Sequence, residues 1–152
     1  MKVKIVSDHA GNKIKEELAK KIAKEGYEVI LRGATSDDDQ SCSYSDVGID
    51  FAREIINDKD RENTKYIAIC GSGIGISIAL NRFKQIRCAR VTNVEEAKLA
   101  KQHNDANVLC FGGRLVTVDQ AFEMFKEWEH AKFEGNRHIP RIIKLDEVGE
   151  ER

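Results

Sequence analysis

Apolar residues along the chain follow two alternating patterns. Lys2–Val6, Tyr27–Leu31, Tyr66–Ile69, Ile86–Val91 and Asn107–Phe111 are short apolar runs bounded mostly by glycine, serine, asparagine or charged residues, which predicts strands. Between them the apolar positions return every three or four residues. Ile14, Leu18 and Ile22, with Ala19 and Ala23 beside them, predict a helix that closes at Gly26. Val47, Phe51, Ile55 and Ile56 predict another from about Ser45 to Asn57. Further helices are expected from about Gly73, over Glu95–Lys101 with an end near His103–Asn104–Asp105, and over Thr117–Lys132, where Phe122, Phe125 and Trp128 carry core spacing.

Strand and helix thus alternate five times. That is the pattern of an α/β protein: a three-layer α/β/α sandwich, Rossmann-like, with a five-stranded parallel sheet in one domain over residues 1–152. Strand order does not follow from it. Two stretches stand outside the alternation. Arg32–Ser43 is a polar loop long enough to form a lid or wall of a site, and its Asp37–Asp38–Asp39 run reads as solvated. Phe133–Ile142 leads into a charged tail.

With 152 residues, 41% of them hydrophobic, 34% charged and a single proline, the chain has the composition of one ordered domain. A net charge of −1 argues against nucleic acid or a membrane surface as partner, so an anionic ligand has to be held by a few placed cations. Cys42, Cys70, Cys88 and Cys110 form no C-x-x-C pair; free thiols in a reducing cytoplasm are expected and a zinc site is not. Met1–Ile5 has no signal-peptide character, and no apolar run approaches membrane-spanning length.

Candidate chemistry concentrates at Cys70–Gly71–Ser72–Gly73–Ile74–Gly75, where a strand runs into a helix. Ligands of open parallel sheets bind beyond the carboxyl ends of the strands. Alternating glycines let backbone N–H groups face an oxyanion or phosphate, with the helix N-terminus behind them. The loop has no Gly-Lys-Ser/Thr end, and Ile76 stands where a dinucleotide fingerprint needs its third glycine. A tight turn with Cys70 as a small buried hydrophobe is the plain alternative. A non-catalytic nucleotide-binding module is another, with Asn93, Glu95 or Glu96 holding a ribose.

Asp8, His9 and Tyr44 follow or border the ends of the first two strands, on the same side as Cys70. His9 could equally cap the next helix. His103 and Asn104 precede the fifth strand and so lie at the opposite edge, where His103 could simply complement a helix dipole. A second copy of the chain supplying that edge would unite them in one shared site. Arg137 and Arg141, four apart, share a face if helical and suit one phosphate; surface arginines are otherwise commonplace. His138 remains ambiguous, and Arg114 fits an interface or a turn.

Taken together, Ser-Asp-His-Ala-Gly at 7–11, Tyr-Ser-Asp at 44–46, Cys-Gly-Ser-Gly-Ile-Gly at 70–75, His-Asn-Asp-Ala-Asn-Val-Leu at 103–109 with Gly-Gly-Arg at 112–114, and Phe-x-Gly-x-Arg-His-x-x-Arg at 133–141 resemble the type B ribose-5-phosphate isomerase family, which includes galactose- and allose-6-phosphate isomerases. The resemblance implies an aldose–ketose isomerase, without metal or cofactor, that works on a small sugar phosphate through an enediolate. It assigns Cys70 as the base, with Ser72 beside it, and His103 to ring opening. Asp8, His9, Tyr44 and Asn104 become sugar contacts, Gly71, Ser72, Gly73, Ile74 and Gly75 the anion loop, and Arg137 and Arg141 the phosphate clamp. It also implies a homodimer with shared active sites, pairing into a tetramer being left open, with the tail from about residue 139 against the partner. Ser72 keeps the hydroxyl of the family's usual threonine, and Ser45 replaces a common proline. Ile76 occupies the position of the glutamate base that one branch uses, and Pro140 is expected to kink the arginine segment. A helix N-terminus just beyond Cys70 is expected to lower its thiol pKa from the usual value of about 8.5.

Overall fold

The computed structural model describes residues 1–151. Five strands, β1 (Lys2–Ser7), β2 (Glu28–Gly33), β3 (Thr64–Cys70), β4 (Cys88–Arg90) and β5 (Val108–Gly112), form one parallel sheet in the order β2-β1-β3-β5-β4. Six helices connect or follow them: α1 (Asn12–Lys24), α2 (Tyr44–Asn57), α3 (Ile74–Leu80), α4 (Val94–Asn104), α5 (Val118–His130) and α6 (Ile139–Asp146). No helix among the described residues is long and apolar enough to cross a membrane.

The three expected layers follow from strand alternation. Ile67, Ile69, Leu109 and Phe111 point into a core with Leu18 and Ile22 of α1, Ala97 of α4, and Phe125 and Trp128 of α5. Tyr66, Ala68, Cys70, Val108 and Cys110 point to the other face, against Phe51 and Ile55 of α2 and Ile76 and Leu80 of α3. The Trp128 indole N–H donates to Ala106 O at 3.0 Å, which confirms its packing role. The order places β1 beside β3, where the chain reverses its direction across the sheet. The loops after these two strands therefore diverge and leave a crevice, as in other doubly wound sheets.

Two segments, β4 and the tail, differ from the sequence pattern. β4 is only three residues long, because its ends are held by side chains. Asn81 accepts the Cys88 N–H at 2.8 Å and donates to Cys88 O at 2.9 Å, while Asn107 accepts the Arg87 N–H at 2.8 Å. α4 ends at Asn104, within the expected stop at His103–Asp105. The expected charged tail is a helix, α6, whose Asp146 takes a two-pronged bond from Arg87 at 2.8 Å to each oxygen. Beyond it Glu150 bonds the backbone of Arg82 and Lys84 at 2.8 and 2.7 Å, within the same chain.

Under β1 and β3 lies a polar knot in which Asp58 accepts from Tyr66 Oη at 2.6 Å and Lys4 Nζ at 3.0 Å. Burial by itself would raise the Asp58 carboxyl; the donors Tyr66, the Asp60 N–H and Lys4 outweigh it and hold the pKa at about 2 against an ordinary 3.8. A carboxyl depressed on folding contributes stability that is complete above pH 3.8 and is lost as pH falls through about 2. Asp58→Asn is therefore expected to lower stability at neutral pH and to flatten the acid loss in that window, measured by urea unfolding at a series of pH values.

Candidate active site

β3 ends at Cys70, and every carbonyl of the loop after it is engaged. Cys70 O accepts from Gly113 N–H at 2.8 Å and Gly71 O from Arg114 N–H at 3.0 Å. Ser72 O accepts from Arg90 Nε at 3.1 Å, and Gly73 O from the Cys110 thiol at 3.1 Å. With the carbonyl side consumed, the N–H groups of Ile76 and Gly73 face the Cys70 sulfur. Gly73 makes the turn at φ 80°, and a Cβ there would fall 2.8 Å from the Phe111 carbonyl carbon.

Cys70 itself is only 4% exposed and packs with Val6, Ile76 and Cys110. Burial pushes its thiol above the ordinary value, helped by Cys110 and Asp8; the amides of Ile76 and Gly73 oppose this without overcoming it. The expected lowering by the helix terminus is thus overturned, because α3 is a seven-residue helix and the sulfur faces the core.

Around this loop the structure gathers most of the expected residues. Asp8 is buried and its carboxylate accepts the Gly11 N–H at 3.0 Å, capping the short turn His9–Gly11. His9 donates its backbone N–H to Cys42 O at 3.4 Å and sets Nδ1 3.3 Å from the same oxygen. With the proton on Nδ1, Nε2 is left for a ligand. β2 runs through Gly33, so the expected Arg32–Ser43 loop begins at Ala34; it is a wall tied to α1 by Asn12 Nδ2 to Asp37 at 3.3 Å. Asp39 turns inward on its own loop, accepting from Ser41 and Cys42. Tyr44 opens α2, and its half-exposed ring lies so close to Gly75 that a Cβ there would sit 2.6 Å from the ring carbons. Ser72 Oγ accepts the Ile74 N–H at 3.2 Å.

Sequence reasoning gave two cations at this loop no place in the site. Arg114 carries its guanidinium to within 2.9 Å of where a Gly71 Cβ would stand, and Arg90 grips Ser72. The Gly112–Gly113 pair before Arg114 was the available signal: a Gly112 Cβ would lie 2.6 Å from the Ser72 carbonyl carbon, so only glycine lets this turn reach the loop.

His103 and Asn104 are the last residues of α4 and lie away from Cys70. Tyr66 pairs with Val108 and Cys70 with Gly112, so the start of β5 is on the order of 13 Å below the sulfur along the strands, and Asn104 precedes that start. The His103 ring stacks on His138 with centroids 4.6 Å apart. Arg137 belongs to a short turn, Asn136–His138, and Arg141 to α6, so they are not on one continuous helix. Pro140 opens α6 in its first turn and does not kink it. Burial, then the charges of Arg137 and His103, pull the His138 imidazole below its ordinary pKa. Two of the three ribose contacts of the nucleotide alternative, Asn93 and Glu96, are committed within the chain. Asn93 caps α4 by accepting the Glu96 N–H at 2.8 Å, and Glu96 accepts from Thr92 at 2.7 and 2.6 Å.

The family model described as Ribose/Galactose Isomerase matches residues 3–145. The chain belongs to this family. It is 34% identical over 151 residues to ribose-5-phosphate isomerase B of Escherichia coli strain K12, covering 99% of this chain and 98% of that one. Among solved structures, Clostridium thermocellum ribose-5-phosphate isomerase B superposes with a TM-score of 0.87 at 41% identity, covering 97% and 96% of the two chains. The Mycoplasma genitalium ribose-5-phosphate isomerase B structure with bound ribulose-5-phosphate does so with a TM-score of 0.84 at 32% identity, covering 96% and 94%. The family sheet, with Cys70 at the carboxyl end of its middle strand, is the frame on which this isomerase chain carries its loop.

Gly73→Ala tests the loop. The variant is expected to lose roughly 1–3 kcal/mol of stability from the left-handed backbone alone, and more from the clash of a methyl group with the Phe111 and Gly112 backbone, read by urea unfolding.

Proposed function

We propose that the chain interconverts ribose 5-phosphate and ribulose 5-phosphate through an enediolate, with Cys70 moving the proton between sugar carbons one and two. The observation that carries this reading is the Cys70 sulfur facing the Gly73 and Ile76 amides, in a chain that shares its family with a relative solved with ribulose-5-phosphate. A buried thiol held above its ordinary pKa is a strong base once its proton has gone. Charge developing on the sugar oxygen meets the N–H groups of the glycine loop, each such donor being worth about 3 kcal/mol in acyl-transfer enzymes. Asp8, His9 and Tyr44 border the sugar, with Ser72 at the loop.

His103, Asn104, Arg137 and Arg141 then serve the Cys70 site of a second copy, His103 in ring opening and the arginines on the phosphate. Two features support this homodimer. The strand register keeps both groups apart within one chain. Two helices expose apolar pairs one turn apart, Ile74 and Ile78 on α3 and Ile139 and Ile143 on α6, each 46–55% exposed. Gripping the phosphate far from the reacting carbons lets binding energy orient the sugar.

Turnover of ribose 5-phosphate, allose 6-phosphate and galactose 6-phosphate by purified protein tests the substrate, ribose 5-phosphate being expected to give the highest kcat/KM. Cys70→Ala is expected to lower kcat by roughly 10²–10⁴-fold while the fold is kept; most of the wild-type kcat remaining would remove the thiol from catalysis. Mixing inactive Cys70→Ala and His103→Ala proteins through unfolding and refolding is expected to restore about a quarter of the sites, because half of the dimers are then mixed and each has one intact site. No recovery would place both residues in the same site of one chain, whereas a His103→Ala protein active by itself would remove His103 from the reaction.

A further inference from the structure

At the lower edge of the sheet, three side chains converge whose donor set no part of the isomerase reading uses as a whole. His103 Nε2 and His138 Nε2 stand 3.7 and 3.6 Å from the same oxygen of Glu134, and the three ligand atoms lie within 4.8 Å of one another. The arrangement is built by backbone. Glu134 N–H donates to Gln102 O at 2.9 Å, which docks the segment after α5 against the last turn of α4. Gly135 at φ 69° and Asn136 at φ 51° then reverse the chain, and His138 N–H closes the turn on Gly135 O at 3.0 Å. This returns the His138 ring onto His103.

The His138 side chain is 7% exposed and its Nε2 has no hydrogen-bond partner, since 3.6 Å to Glu134 is beyond reach of one. A buried imidazole nitrogen left unpaired and aimed at a carboxylate and a second imidazole calls for a cation between them. Two imidazoles and one carboxylate are a donor set that zinc takes with its fourth position open, and tetrahedral ligands at about 2.0–2.1 Å from zinc are about 3.3 Å apart. The two contacts to Glu134 need to close by only a few tenths of an ångström, whereas the His103–His138 pair, within 4.8 Å on rings stacked at 17°, closes on one ion only when His103 turns out of the stack. Glu134 and His103 are partly exposed, so both can turn.

We propose that His103, Glu134 and His138 form a zinc-binding site whose occupation inhibits the enzyme. Zinc on His103 Nε2 replaces the proton that this atom would exchange during ring opening. That consequence rests on the role proposed above for His103; the binding itself does not. Arg137 and Arg141 bring positive charge to His138, which makes the site weaker than a closed structural zinc site and suits a reversible inhibitor over a resident ion.

The test titrates dialysed, full-length protein with Zn²⁺ by calorimetry and with Co²⁺ by visible absorption, and follows the initial rate in parallel. One ion per chain is expected, with a tetrahedral Co²⁺ spectrum and a rate that falls in step with occupancy. Glu134→Gln and His138→Asn should each weaken binding by roughly tenfold or more, whereas Cys42→Ser, which removes the one half-buried thiol, should not. Glu134 is 44% exposed in its side chain, so its variant reads the site even where the buried His138→Asn fails to fold. No saturable binding, or binding untouched in Glu134→Gln, would overturn the site. Binding without loss of rate would overturn the inhibition and count against His103 in ring opening, while leaving the site itself in place.

Discussion

One close approach organises the Cys70 end of this molecule: the backbone of the loop after β3 lies directly against the backbone at the end of β5. No side chain fits between them at Gly73 or Gly112, where a Cβ would meet carbonyl carbons at 2.8 and 2.6 Å. The contact lets Gly113 and Arg114 donate into the loop and lets Cys110 reach Gly73 O. With Arg90 of β4 on Ser72 O as well, four consecutive carbonyls are committed on one side, and the peptide planes turn their N–H groups toward Cys70. Without that approach the loop would be an ordinary βα turn with unsatisfied carbonyls.

The same contact explains why the sulfur is both aimed and costly to ionise. Cys70 is the last inward residue of β3 on the α2–α3 face, so strand alternation fixes its direction and the packing of Val6 and Ile76 buries it. Desolvation outweighs two amides in the single chain. Tyr44 across Gly75 and Arg114 across Gly71 show how glycine brings an aromatic ring and a guanidinium to the loop at positions where any larger residue would collide.

At the other edge, the end of α4 and the segment before α6 make a second concentration of chemistry. His103, His138 and Glu134 are joined there by a reversal at Gly135–Asn136, with Arg137 and Arg141 beside them. The register of the sheet keeps these two ends apart within one chain. Their separation within a chain is the physical motive for the proposed shared-site homodimer, to which the exposed isoleucines of α3 and α6 would offer a surface.

Alternation of short β-branched runs with helical apolar stripes was sufficient for the layers, the five parallel strands and the core of Leu18, Phe51, Ile55, Phe125 and Trp128, because hydrophobic period and chain connectivity are local properties. The motif at Cys70–Gly75 was legible for the same reason, glycine being required where backbone must come close. Strand order, the short β4 held by Asn81 and Asn107, the helix beginning at Pro140 and the places of Arg90 and Arg114 were not. Neither was the direction of the Cys70 pKa, nor the meeting of His103 with Glu134 and His138. Each of these depends on which distant segments become neighbours, and burial, desolvation and side-chain convergence exist only once the sheet has closed that distance.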